Sequence, residues 1–187
     1  MDSTPYLVTG PAFEPVTLDE AKLACHVDAV EDDIYLTRLI LSARMWAEEY
    51  TRRALVTQTW ELRLDGFPRC PIELPWPPLA SVTSIKYLDT AGVLQTWNPT
   101  DYLVTGAAAR DARGTVRPTY GTFYPSTSPV PEAVQVRYVA GYGDPTLVPA
   151  GVKHGILLHI AESYGNREAP DYSAAKSSLW PWYEGGF

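Results

Sequence analysis

Three histidines, two cysteines and one Gly-x-Gly are the parts of this chain whose residue types could do chemistry. Gly141-Tyr142-Gly143 stands between an alternating run and an apolar-periodic one, where a phosphate loop would sit. A dinucleotide loop needs a third glycine three residues on, so that helix and strand pack closely, and position 146 is Thr. A Walker loop needs Gly-Lys-Ser/Thr at the helix start, and none follows. The stretch therefore reads as a turn. His154 and His159 are five residues apart, which on a helix rotates one imidazole about 140° from the other. Metal-binding helical pairs sit at i, i+4 instead, and Glu162 brings no third ligand in sequence. Cys25 cannot use His26 as a base, because neighbours on a helix do not face each other. No Ser lies in a Gly-x-Ser-x-Gly elbow. The pairs Asp32-Asp33 and Glu48-Glu49 fall on charged helix faces. These residues predict no catalytic site, no metal site and no cofactor, so the chain is not expected to be an enzyme.

The elements that would position any site follow from the periodicity. "EPVTLDEAKLACHV" starts a short helix, with Thr17 and Glu20 spaced as a capping box. In the next segment Leu36, Leu39, Ile40, Ala43, Trp46, Ala47 and Tyr50 recur at three and four, predicting a long helix over 32–53. From Leu55 the pattern alternates, with Val56, Gln58, Trp60, Leu62 and Leu64 on one side of a strand. "SVTSIKYLDTAGVLQTW" reads as a hairpin turning at Asp89 to Gly92. "DYLVT", "GTVRP" and Val134 to Ala140 read as further strands. Pro149 then suits the first turn of a third helix ending near Gly165-Asn166.

The predicted fold class is α+β: a small helical body of three main helices (17–27, 32–53, 149–165), a β-rich insertion between the second and third, and an extended C-terminal tail. The expected segments are 1–54 for the N-terminal helices, 55–145 for the insertion, 146–169 for the third helix and 170–187 for the tail.

Composition narrows the function classes. The chain has 187 residues, 45% apolar and 20% charged, with 17 prolines and 12% aromatics. That is enough to bury a core, in short strands joined by stiff loops. A net charge of −7 is opposite to what static binding of nucleic acid requires, although it is compatible with DNA passing without adhering. Cys25 and Cys70 match no disulfide framework or metal spacing. The N-terminus lacks the pattern of a signal peptide and no apolar run is long enough to span a membrane, which predicts a protein made and kept in the cytosol unless it is carried out as part of an assembly.

"VTLDEAKLACHVD…EDDIYLTRLILSARMWAEEYTRRALVTQTWELRLDGFP", with "IELPWPPLASVTSIKYLDTAGV", "DYLV" and "VQVRYVAGYGDP…VPAGVKHGILLHIAESYGNRE", resembles the head–tail connector (adaptor) family of long-tailed bacteriophages. Relatives occur in prophages and phage-like gene transfer particles, and the likeness is to the subset with a β-rich insertion. It spans residues 14 to 168 and rests on the order of segments, since the family has no catalytic signature. The resemblance implies a structural virion protein of the neck. Such adaptors form a ring, typically of twelve, beneath the portal; they extend the DNA channel and meet a stopper or tail-terminator protein below. DNA would pass through the lumen without specific binding, and no membrane is involved.

Two sets of residues are candidates for assembly. In the tail, Leu179, Trp180, Pro181, Trp182, Tyr183 and Phe187 offer aromatic area for docking on the portal. The opposite reading is that these rings fold back on the chain's own helices. On the long helix, Arg38, Arg44, Glu48, Glu49 and Arg52 form a charged face that could pair with a neighbouring copy. Two other functions compete with the adaptor: a β-type carbohydrate-binding module using the rings between residues 60 and 124, and a small metal-dependent hydrolase.

Overall fold

A computed structural model describes residues 3–109 and 112–184. The chain divides into two compact units, Met1–Gly10 with Thr57–Gly141, and Pro11–Val56 with Tyr142–Phe187. The first is β-rich and the second helical, so the α+β reading with an interrupted helical body is borne out.

In the helical unit, α1 (Leu18–Cys25) begins at the predicted box: Glu20 N–H donates to Thr17 Oγ1 at 3.1 Å, and Thr17 N–H to Glu20 Oε2 at 2.7 Å. α2 (Asp33–Thr51) buries Leu36, Ile40, Ala43 and Ala47, four members of the apolar stripe. Its N-cap residue Asp32 makes no capping bond and instead accepts from the Tyr164 hydroxyl at 2.7 Å. α3 (Ala150–Gly165) starts after Pro149 and buries Val152, Ile156 and Ile160. These residues join Val16, Ala21, Leu55, Val56 and Val148 in one core.

The tail is not extended. Residues Ser173–Leu179 form a fourth helix, α4, followed by a 3-10 turn over Trp180–Trp182. Ala and Lys are good helix formers, and Ala175 and Leu179, four apart, share the buried face. An i, i+4 pair is too short a pattern to stand out between small polar residues.

The β unit holds a five-stranded antiparallel sheet in the order β1 (Ser3–Thr9), β2 (Gln58–Leu64), β8 (Val134–Ala140), β4 (Leu79–Leu88), β5 (Leu94–Thr96). A second sheet has the order β3 (Ile72–Leu74), β7 (Gly114–Pro118), β6 (Tyr102–Thr105). β8 is central and presents Val134, Val136, Tyr138 and Ala140 to the core, the face its alternation predicts. Between β4 and β5 the Asp89 carboxylate accepts the N–H groups of Ala91 and Val93, each at 2.9 Å, and Gly92 takes a φ of 77°. β1 was assigned to no element by its pattern. It pairs only with β2 and most of its side chains are exposed, so neither period nor burial marks it.

Two charged residues of α2 lie inside the unit. Arg44 donates to Glu48 Oε2 at 2.7 Å and to Glu14 Oε2 at 2.8 Å, and Glu48 Oε1 accepts the Leu55 N–H at 3.0 Å. The network ties α2 to the chain leaving it. Replacing Glu48 by Ala leaves the buried Arg44 guanidinium with Glu14 as its partner on one side only and takes the acceptor from the buried Leu55 amide. Glu48→Ala is expected to cost about 3–5 kcal/mol in denaturant unfolding; a loss below about 1 kcal/mol, the range of exposed pairs, would show that the network is not held.

Candidate functional site

The C-terminal segment builds the site. α4 lies along α3 where α3 lacks side chains. A Cβ on Gly155 would stand 2.8 Å from Leu179 Cγ, and a Cβ on Gly151 would overlap the Trp182 ring. Leu179 is fully buried. Beyond it the backbone is tied to the end of α2. Arg53 Nε donates to the Trp182 carbonyl at 2.7 Å, Arg53 pairs with Glu184 at 3.0 Å, and Glu184 N–H donates to the Thr51 carbonyl at 3.0 Å.

This anchoring turns Trp180 and Tyr183 outward. Their rings stack at 5.5 Å and 11°, and both are exposed. Tyr183 meets Tyr50 at 5.6 Å, and Tyr50 stacks on Trp46 at 5.6 Å. Trp46, Tyr50, Trp180 and Tyr183, with Glu49 and Arg52, line an open groove of about 550 Å³. Glu49 and Arg52 pair at 2.6 Å, both well exposed, so the groove carries no net charge from them. The groove is aromatic in area with one hydrophilic edge.

The candidate residues fall into different places. Trp180 and Tyr183 are groove walls, while Leu179 is core, Trp182 is half-buried on Gly151, and Pro181 is exposed between the tryptophans. Phe187 lies outside the described residues. On α2, Glu49 and Arg52 belong to the groove and Arg38 is exposed away from it. Arg44 and Glu48 are not on an outward face, because they flank the buried stripe and pair with each other inside. Trp46 and Tyr50 were not read as surface. They fit the apolar period of α2, and their second role depends on the tail lying beside them.

Behind the groove, His159 is sandwiched between Trp46 at 4.5 Å and Tyr172, stacked at 4.1 Å and 7°. It is buried, and its Nδ1 has no hydrogen-bond partner among the described residues. Burial lowers its pKa to about 4. His154 is exposed, so the two histidines do diverge as their spacing requires. His26 caps α1 with a positive φ of 54°. Gly141 and Gly143 take φ values of 113° and 106°, which explains both glycines as turn residues. Among the described residues no three His, Cys, Asp or Glu side chains gather around a common point, and no helix is long and apolar enough to cross a membrane.

Residues 15–75 match the family of phage gp6-like head–tail connector proteins. The match is to a head–tail connector. It bears out the resemblance read from the order of segments. Among curated proteins none matches. Solved chains of the same fold come from gene transfer agent (GTA) particles. One, from the virion of the native particle, is 18% identical with a TM-score of 0.80. Another, from the neck of the empty particle computed with C6 symmetry, is 19% identical with a TM-score of 0.80. A third, from the neck of the native particle computed with C12 symmetry, is 20% identical with a TM-score of 0.75. Each comparison covers 98% of this chain and 97% of the other.

The state of His159 has a consequence for stability. The folded chain holds the imidazole neutral, whereas the unfolded chain takes up a proton near pH 6.5. Stability is therefore complete above about pH 6.5 and falls as the pH drops towards 4, by on the order of 3 kcal/mol. Urea unfolding across this range should show the loss, and His159→Leu should flatten it. An unchanged slope in that variant would show that His159 is not the group responsible.

Proposed function

We propose that this chain is a structural subunit of the virion neck: a head–tail connector that joins the capsid of a long-tailed phage or phage-like transfer particle to its tail. The observation that carries the reading is the connector match of residues 15–75. The fold shared with GTA neck chains over nearly the whole length supports it. In this reading copies of the chain form a ring, of twelve subunits by analogy with the C12 neck, below the portal and above a stopper or tail-terminator protein. The ring extends the channel for DNA. The net charge of −7 suits such a wall, since acidic surfaces repel phosphate and let DNA slide past.

The aromatic groove is the proposed portal-binding surface. Trp180 and Tyr183 are its exposed anchors; Leu179, Pro181 and Trp182 hold them in place, with Arg53 fixing the backbone. Exposed Trp and Tyr on an anchored backbone lose little entropy on docking, which is how such residues come to dominate binding energies. This differs from a free tail that orders on contact, because the anchors are already oriented by α4.

Replacing both Trp180 and Tyr183 by Ala removes exposed rings only, so the variant should unfold at nearly the same denaturant concentration as the unsubstituted chain. Its affinity for portal-containing particles should fall by about 2 kcal/mol or more, roughly thirtyfold, as for hot-spot aromatics. Normal incorporation of this variant would remove the groove from the portal contact.

A further inference from the structure

The helical unit carries two apolar faces that none of its described residues covers. On α2, Ile34, Leu41 and Met45 are exposed by 71%, 46% and 58%. They fall at i, i+7 and i+11, and helix geometry puts them in one stripe opposite Leu36, Ile40, Ala43 and Ala47. Arg38 is exposed along the same stripe. The second face is a groove of about 360 Å³ between α1 and α3. Leu23 and Ala24 line it from α1, Leu158 and Ala161 from α3, and Glu20 and His154 complete it. Leu23 is 78% exposed.

The two faces point in different directions. α2 and α3 pack by their core sides, where Trp46 meets His159 at 4.5 Å. The stripe lies on the far side of α2. Leu158 and Ala161 lie on the side of α3 away from the buried Val152, Ile156 and Ile160. One molecule thus presents an apolar ridge and, elsewhere on the same unit, an apolar groove. Isolated exposed apolar residues are ordinary, but ordered stripes and grooves of this kind mark contact surfaces. Two distinct patches are what a head-to-tail contact requires: each copy uses one patch on its left and the other on its right, and the series closes into a ring. Arg38 is exposed on the ridge and Glu20 is partly exposed on the groove, where its carboxylate already accepts the Thr17 N–H at 2.7 Å and has Lys153 at 4.0 Å; a guanidinium from a neighbouring copy would add to these partners.

We infer that the Ile34–Leu41–Met45 ridge of one copy seats in the α1–α3 groove of the next, so that the occupant of each face is a second copy of this chain. The inference rests on the neck-ring reading and names the surfaces through which the ring is made. The contact is apolar at its centre, with Arg38 beside Glu20 at its edge, and takes only Arg38 from the charged face of α2 that the sequence suggests.

Two cysteine variants of the full chain test it, Leu41→Cys and Leu23→Cys, each with Cys70→Ser to remove the exposed native thiol. Mixed and oxidised under conditions in which the unsubstituted chain forms rings in micrographs, they should yield cross-linked dimers of one variant with the other, well above the homodimers of either alone. Leu41→Glu, at an exposed position, should leave thermal unfolding unchanged and reduce rings to monomers. Rings that persist in Leu41→Glu, or cross-links confined to homodimers, overturn this interface and leave the neck reading standing. If the unsubstituted chain forms no ring at any concentration, with or without portal, both are overturned.

Discussion

Gly155 has no side chain, and Leu179 occupies the space where one would be. The arrangement of the helical unit's surface depends on that contact. With Leu179 seated, α4 lies against α3 and Trp182 comes down over Gly151. The chain then reaches the end of α2, where Arg53 takes the Trp182 carbonyl and Thr51 takes the Glu184 amide. Only after these constraints are met do Trp180 and Tyr183 have fixed directions. A close helix–helix approach, permitted by two glycines four residues apart on one face, thus makes the C-terminal segment a structured wall.

Charge is distributed by the same logic. The chain is acidic overall, yet several of its carboxylates are buried in ion pairs. Arg44, Glu48 and Glu14 form a buried set, and in the β unit Glu61, 5% exposed, is held between Arg63 and Arg137 at 2.9 and 2.6 Å. Those guanidiniums draw the Glu61 pKa below its usual value although burial pushes against them. Such pairs contribute specificity of register more than net stability, because their desolvation offsets much of the attraction. The outward pair, Glu49 with Arg52, is exposed and contributes little to folding, so it is free to serve as the hydrophilic edge of a contact surface.

The β unit is stabilised by rings as well as by its sheets. Trp97 sits among Phe67, Tyr102 and Tyr124 at centroid distances of 5.0 to 5.5 Å. Trp60 stacks on Trp76 at 4.9 Å. The Tyr138 hydroxyl donates to the Pro75 carbonyl at 2.9 Å, and burial raises its pKa. Much of the aromatic content is therefore internal.

The sequence by itself determined what is periodic. Three helices and the central strand follow from spacings of 3.6 and 2, the capping box from Thr17 and Glu20, and the hairpin from Asp89 to Gly92, because each is a local relation among near neighbours. The likeness to head–tail connectors, too, was legible, since it rests on the order and spacing of segments, and the match of residues 15–75 agrees with it. Tertiary structure alone decided the rest. β1 is a strand because β2 offers it an edge. The tail is a helix because Gly151 and Gly155, more than twenty residues earlier, leave room for Trp182 and Leu179. Arg44 and Glu48 look like surface charges in sequence and are buried because Glu14 and the Leu55 amide complete their hydrogen bonds. Trp46 and Tyr50 look like core and become groove walls because Trp180 and Tyr183 lie beside them. In each case the deciding partner lies beyond the reach of a helical or strand period, which therefore does not carry its position.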